Sequence, residues 1–366
     1  MSSARKVIAT TMIPQLDLAP LAHGGDLGSA RLLFPGAREP FLDLSTGINP
    51  HAYPLPQLRP EAFSRLPEPA TERQLAAVAA QAYAAPSASH VVASPGTQIL
   101  LPLVAALVPP GRAAVLGPTY SEHVRIARLA GHLAIEVAEM AQLSDAELAI
   151  VVNPNNPDGR LVNKRALLAV AESLRSRGGL LVVDEAYMDV GPPDASLAAE
   201  VADGNIVVLR SFGKFFGLAG LRLGFALAAP QIVARLSAAL GPWAVAGPAI
   251  AIGEAALRDR PWAETMRVVL AQEIGWLDEI LGQGGLEVIG GTSLFRLVRT
   301  QAAAELFHHL GCAGLLVRRF IEQPTRLRFG LPNDEDARHR LRTALAAWVE
   351  VTAARSSARA HDRPGL

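Results

Sequence analysis

The chain has 366 residues, 50% hydrophobic and 19% charged, the balance of a folded protein of two or three domains and not of a disordered or fibrous one. Its 34 basic residues match its 34 acidic ones, so the net charge gives no electrostatic footprint for nucleic acid. The single cysteine, Cys312, excludes an internal disulfide and a cysteine-based zinc site, the histidines show no metal spacing, and no apolar run is long enough to span a bilayer.

The first residues, Met1 to Met12, have a basic start but no apolar core of secretory length. They are expected to form a loose leader, and the cytoplasm is the expected compartment. His23-Gly-Gly-Asp and Leu44-Ser-Thr-Gly-Ile-Asn-Pro50 follow, then a proline-rich connector from Pro50 to Pro69. From about residue 70 to 250, short β-branched runs alternate with helical stretches. Val91–Ala93, Ala113–Leu116, Ala149–Val152, Leu180–Val183 and Ile206–Leu209 lack polar alternation, as strands of a parallel sheet covered on both faces do. Helices are expected over Thr71–Tyr83, Gln98–Leu107, Ser121–Ala130 and Lys164–Arg177, which makes this a wound α/β unit.

After Pro230 come three helical stretches, the last a connecting helix over Trp262–Leu281. Short strands near Leu286, Ser293–Leu297, Gly314–Arg318 and Leu327–Phe329, with helices at Ala302–Leu310 and Asp334–Ala353, predict a smaller α+β unit. The expected division is a large domain over 45–255 and a small one from 1–44 with 256–366. The polar tail 356–366 is expected to fray.

Ligands of wound α/β sheets bind at the carboxyl ends of the strands, so the loops there are taken in order. Ser94-Pro-Gly-Thr-Gln opens a helix with a glycine and a hydroxyl residue. Gly96 and Thr97 there suit a phosphate, although a plain helix cap by Thr97 explains the same residues. Tyr120, after the next strand, offers a ring that stacks on a planar group or simply covers the sheet edge. In Asn153-Pro-Asn-Asn-Pro-Asp-Gly159 two Asn-Pro steps make a tight polar loop, and the Asn156 amide can donate to an anionic oxygen.

Asp184 ends a buried strand, where an ionised carboxylate needs a partner. A cationic ring nitrogen, a magnesium ion or the following turn would each serve. Tyr187 stands three residues on, within range of the oxygen that Asn156 reaches. Finally, Ser211-Phe-Gly-Lys214 and Arg222 follow the last strand. Lys214 is one of three lysines in the chain, with Lys6 and Lys164. In a chain that carries charge almost wholly on arginine, a lysine among glycines points to an amine that must lose its proton, as imine formation requires. Ser211 and Arg222 suit an oxyanion.

These loops together resemble the fold-type I class I/II aminotransferase superfamily. The resemblance implies pyridoxal 5'-phosphate on Lys214, Asp184 on its ring nitrogen, and Asn156 with Tyr187 at its phenolic oxygen. It implies Tyr120 as the stacking ring, Gly96, Thr97, Ser211 and Arg222 at the cofactor phosphate, and Arg328 at the substrate carboxylate. Active sites of this superfamily form at a dimer interface, so a homodimer is expected.

His23-Gly-Gly, Ile48-Asn49-Pro50 and Gly291-Thr-Ser-Leu-Phe-Arg296 look like a narrower branch, the threonine-phosphate decarboxylases of cobalamin synthesis. That resemblance implies decarboxylation of threonine O-3-phosphate to aminopropanol phosphate, with His23, Gly24, Gly25 and Asn49 meeting the substrate phosphate. An aminotransferase acting on a phosphorylated substrate such as histidinol phosphate is the alternative. A non-catalytic sensor would need a DNA-binding module, and the residues before Leu44 show no such pattern. Two positions depart from the superfamily pattern: Asp158 replaces a serine or threonine, and Gly213 replaces a hydroxyl residue before the lysine.

Overall fold

Twelve strands form among residues 23–361, the part of the chain that the computed structural model describes, with side chains described through residue 354. The expected leader at 1–12 lies outside these residues. In chain order the strands are β1 (Leu42–Leu44), β2 (Val91–Ser94), β3 (Arg112–Leu116), β4 (Leu133–Val137), β5 (Leu148–Val152) and β6 (Leu180–Asp184). They continue with β7 (Ile206–Ser211), β8 (Gly224–Ala228), β9 (Glu287–Thr292), β10 (Phe295–Arg299), β11 (Leu315–Arg319) and β12 (Arg326–Gly330).

Seven of them make one sheet in the order β2-β8-β7-β6-β5-β3-β4. Only β8 runs antiparallel to its neighbours. β5 and β6 are buried along their whole length, because successive residues enter different cores. Val151, Val183 and Val208 face one apolar cluster, whereas Ile150, Val182 and Leu209 face the other. That is why these runs carry no polar alternation.

Two strands of this sheet are additions to the sequence reading. β4 is an edge strand with Leu133 and Ile135 exposed, so its burial pattern matches no simple template. β8 begins within the glycine-rich stretch after Lys214, where a ligand loop was the natural expectation. Its last neighbour, β2, pairs Ser94 with Gly224, which in turn pairs with Ser211 of β7.

The other five strands form a second sheet, β1-β11-β12-β10-β9. β1 is the surprise, a three-residue strand lying parallel to β11 with Leu42 opposite Leu315. Leu-Asp-Leu is too short to declare itself, but it places Ser45 and Thr46 beside the second sheet. The register of β11 on β12 sets Arg318 opposite Arg328. The strands of the first sheet all lie within 91–228, and those of the second come from 42–44 and 287–330.

The connecting helix spans Arg260–Gln283, capped by Asp259, which accepts from the Trp262 N–H at 3.1 Å. The last helix, Glu335–His361, runs beyond the expected end at residue 353 and through the first part of the tail expected to fray. No helix among the described residues is long and apolar enough to cross a membrane.

Candidate active site at the strand ends of the larger sheet

β7 delivers Lys214 through a short helix, Phe212–Phe215, whose Phe212 and Phe215 are buried. Those two rings anchor the turn and leave the lysine half-buried between them. The Lys214 carbonyl accepts from the Asn49 N–H at 2.9 Å. Its amine, 5.8 Å from the Tyr187 ring centroid, has no ion pair or hydrogen bond among the described residues. Gly213 is forced by this geometry, since a Cβ there would stand 2.7 Å from Ala219 Cα. The departure from a hydroxyl residue is therefore steric.

At the end of β6, Asp184 is 7% exposed and doubly held. Oδ1 accepts from the Ala186 N–H at 3.0 Å, and Oδ2 lies 2.9 Å from His123 Nε2. A carboxylate only accepts, so Nε2 carries the proton of that contact. His123 is 2% exposed, sits on the helix Glu122–Leu129, and packs its ring edge-on against Tyr120 at 5.7 Å. The sequence reading missed it. A histidine three residues after a strand-end tyrosine, on the inner face of the following helix, was the available signal.

Gly96, Thr97, Ser211 and Arg222 come together across β2, β8 and β7. Gly96 has a left-handed φ of +83°, and a Cβ on it would lie 2.6 Å from Arg222 Nη2. A Cβ on Gly224 would lie 2.5 Å from the Thr97 nitrogen. Both glycines therefore let the main chain close tightly on the Thr97 N–H and the Arg222 guanidinium. Arg222 itself has φ +53°, uncommon for a residue with a side chain and the kind of local strain that clusters at functional sites.

Arg328 of β12 is 6% exposed. Nη1 donates to Asn156 Oδ1 at 2.6 Å and Nη2 to the Ser45 carbonyl at 2.8 Å. Its guanidinium also lies 5.0 Å from the Phe295 ring centroid, and Phe295 meets Tyr187 edge-on at 5.0 Å. Arg328, Asn156 and Tyr187 thus form one wall, with Gly47 giving way to the Tyr187 hydroxyl, 2.8 Å from where a Cβ would be. Arg318, which the sequence reading did not single out, stands opposite Arg328. Burial first and the Arg328 charge second lower its pKa, with Tyr120 acting the other way.

The loop that carries Asn156 is fastened to the second sheet. Gly291 N–H donates to the Asp158 carbonyl at 2.8 Å, and a Cβ on Gly159 would fall 1.8 Å from the Gly291 oxygen. Asp158, the second departure, closes the loop by accepting from the Asn155 amide at 2.8 Å and the Arg160 N–H at 3.0 Å.

His23, Gly24 and Gly25 lie along the same wall. Gly25 N–H donates to Ser45 Oγ at 2.8 Å, and Gly24 approaches the Ser45 carbonyl so closely that a Cβ would stand 2.6 Å away. His23 reaches Tyr120, with ring centroids 5.8 Å apart, and Glu122 Oε1 at 3.5 Å. Asn49 is placed differently from expectation. It is 2% exposed, donates its amide to the Phe215 carbonyl at 2.7 Å and accepts from the His51 N–H at 2.9 Å. Its side chain braces the Lys214 helix through one of its two amide donors. Among the described residues no group of three or more His, Cys, Asp or Glu could hold a metal ion.

Comparison with known proteins places this geometry. Residues 63–344 match the family model for aminotransferases of class I and II. A threonine-phosphate decarboxylase from a Sinorhizobium species is 42% identical over 330 residues, covering 90% of this chain and 98% of the relative. One from Pseudomonas aeruginosa is 41% identical over 333 residues, with the same coverage of 90% and 98%. Among solved structures, the histidinol-phosphate aminotransferase from Sinorhizobium meliloti in complex with pyridoxal-5'-phosphate superposes with a TM-score of 0.75 at 18% identity, covering 94% of this chain and 99% of that one.

Proposed function

The chain belongs to the class I and II aminotransferase family, and from that premise we propose that it decarboxylates L-threonine O-3-phosphate to (R)-1-amino-2-propanol phosphate and carbon dioxide, for the aminopropanol arm of cobalamin. The observation that carries the substrate class is the pair Arg318 and Arg328, facing each other across two strands. Arginine forks at these two positions match a substrate that carries both a carboxylate and a phosphate.

The residues at the strand ends fit pyridoxal 5'-phosphate. Gly96 and Gly224 let the main chain approach Thr97 and Arg222 closely, and with Ser211 these donors suit the cofactor phosphate. Asp184, whose two oxygens meet the Ala186 N–H and His123 Nε2, suits a protonated ring nitrogen. Asn156 and Tyr187 suit the phenolic oxygen, Tyr120 the ring face, and Lys214 the covalent anchor. When bound, the cofactor supplies a sink for the electron pair released at the substrate Cα.

The chain's own groups then decide which bond breaks. Arg328 grips the carboxylate while Arg318 and His23 hold the phosphate end, so the substrate is pinned at both ends and its rotation about Cα is fixed. Decarboxylation needs the Cα–carboxylate bond upright to the ring, whereas transamination needs Cα–H there. A placement error of about 1 Å changes rates on the order of 100-fold, so the two-point grip is what selects the reaction. Lys214 Nζ would return a proton to the substrate Cα in place of the departed carboxylate. His123 holds Asp184 in place throughout.

Purified protein given phosphothreonine should release carbon dioxide with no keto acid present. Strict dependence on 2-oxoglutarate, with glutamate formed, would instead establish the aminotransferase alternative. In the same assay Arg318→Ala should raise KM about 10- to 100-fold, the loss of a charged hydrogen bond, with the visible absorption of the loaded protein unchanged. Unchanged KM would remove Arg318 from the substrate. Family membership also supports a homodimer, which sedimentation as a monomer would refute.

A further inference from the structure

Beneath the site, a buried charge cluster ties β7 to the turn after β6. Arg210, the residue before Ser211, is 5% exposed. Its Nη1 donates to Glu185 Oε2 at 3.0 Å and its Nη2 to Asp189 Oδ1 at 2.8 Å. The guanidinium carbon lies 4.3 Å from the Tyr83 ring centroid, which covers its face. Glu185 is fully buried, and its two oxygens also accept from the Leu197 N–H and the Ser196 hydroxyl, each at 2.7 Å. The Asp189 carbonyl accepts from Arg267 Nε at 2.7 Å. Burial works against the Arg210 charge, but Asp189 and Glu185 more than reverse it and raise its pKa.

The placement of the two carboxylates in the chain gives the cluster its meaning. Glu185 follows Asp184 directly, and Asp189 stands two residues beyond Tyr187. The segment between them is a tight turn, with Met188 N–H donating to the Glu185 carbonyl at 3.0 Å. One guanidinium therefore grips both ends of the turn that presents Asp184 and Tyr187. The same residue belongs to the strand that presents Ser211 and Lys214. Stability is a weak reason for such a cluster, since apolar residues of the same shape often serve the fold as well or better. Geometry is a stronger one. Arginine's planar fork fixes two acceptors at once, which an ammonium on a flexible stem does not.

We propose that Arg210 is a positioning residue: by gripping Glu185 and Asp189 it sets the Asp184 carboxylate and the Tyr187 hydroxyl at their working distances from the Lys214 amine. Its guanidinium bonds to Glu185 and Asp189 and to none of the substrate or phosphate residues named above, so its effect falls on the chemistry and not on substrate binding. The proposal rests on the cofactor roles given above to Asp184, Tyr187 and Lys214.

The test removes the grip without leaving an orphan charge. Arg210→Met combined with Glu185→Gln and Asp189→Asn discharges the whole cluster. The loaded variant is expected to keep a cooperative thermal transition and a KM within about twofold of the parent, while kcat falls roughly 100-fold, the scale of a misplacement near 1 Å. Without substrate, the pH midpoint of its visible absorption change should move by more than about half a unit, because a displaced Asp184 alters the charge sensed at Lys214. Arg210→Lys should fall between the two in kcat, since an ammonium keeps the charge and loses the fork.

A discharged variant with parental kcat and parental pH midpoint would reduce the cluster to packing and overturn the proposal. If that variant does not fold, Asp189→Asn decides the matter, because it leaves Glu185 and Arg210 as a balanced pair. Its kcat should drop about 10-fold at unchanged KM, and an unchanged kcat and midpoint would overturn the proposal equally. Absence of carbon dioxide from the parent protein would count against the reaction assigned above. The absorption titration uses no substrate and scores Arg210 regardless.

Discussion

Replacement of Lys214 by alanine is expected to lower carbon dioxide release by at least about 10⁴-fold and to abolish the visible absorption of the cofactor-loaded protein. The fold should survive intact. The lysine amine has no ion pair or hydrogen bond among the described residues to orphan, and the contact that ties its segment to Asn49 runs through the Lys214 carbonyl, which alanine keeps. The thermal midpoint should therefore stay near that of the parent, which separates loss of chemistry from loss of structure. Arginine at this position should not rescue, because guanidinium does not release its proton at any working pH. Full activity in Lys214→Ala would contradict every catalytic account of this site.

The second large effect is expected at Asp184. Asp184→Asn keeps the shape of the side chain but removes the negative charge facing the cofactor ring, and kcat should fall on the order of 10³-fold. Its KM for phosphothreonine should change little, since Arg318 and Arg328 stand on the other sheet. The amide oxygen can accept from the Ala186 N–H while the amide nitrogen donates to His123 Nε2 in the other ring tautomer, so the loss of stability should be small. Asp184→Ala behaves differently. It leaves His123 Nε2, 2% exposed, without its acceptor, and an unsatisfied buried donor costs roughly 1–3 kcal/mol. A matched pair of melting curves and single-turnover rates distinguishes the two variants. Parental kcat in Asp184→Asn would exclude the carboxylate as the ring partner.

Much of this site was legible because parallel strands buried on both faces announce themselves as unbroken apolar runs, and the loops after them carry the chemistry. Asp184, Lys214 and Asn156 all stand at such boundaries. What stayed hidden depends on contacts between distant parts of the chain. Arg318 ends a run that reads only as a strand, and becomes notable once β11 is registered against β12. Asn49 looks like a binding residue in its own motif, but the carbonyl it holds is 166 residues away. His123 lies on a helix where one histidine gives no local contrast. β8 was masked by the glycines that precede it, since the same residues that let backbone approach a ligand also begin a strand.

The hydrogen bond between Arg328 and Asn156 has a thermodynamic consequence of its own. Arginine offers donors only, so it fixes the Asn156 oxygen towards itself and turns the amide nitrogen the other way. A carboxylate drawn to Arg328 and an anionic ring oxygen drawn to Asn156 then act on the two ends of one oriented amide. The two ligands share a coupling free energy, and whatever factor one adds to the other's affinity is returned in full. An unreactive analogue of the amino acid should accordingly slow dissociation of the cofactor, so that scarcity of either molecule is felt at the binding site of its companion.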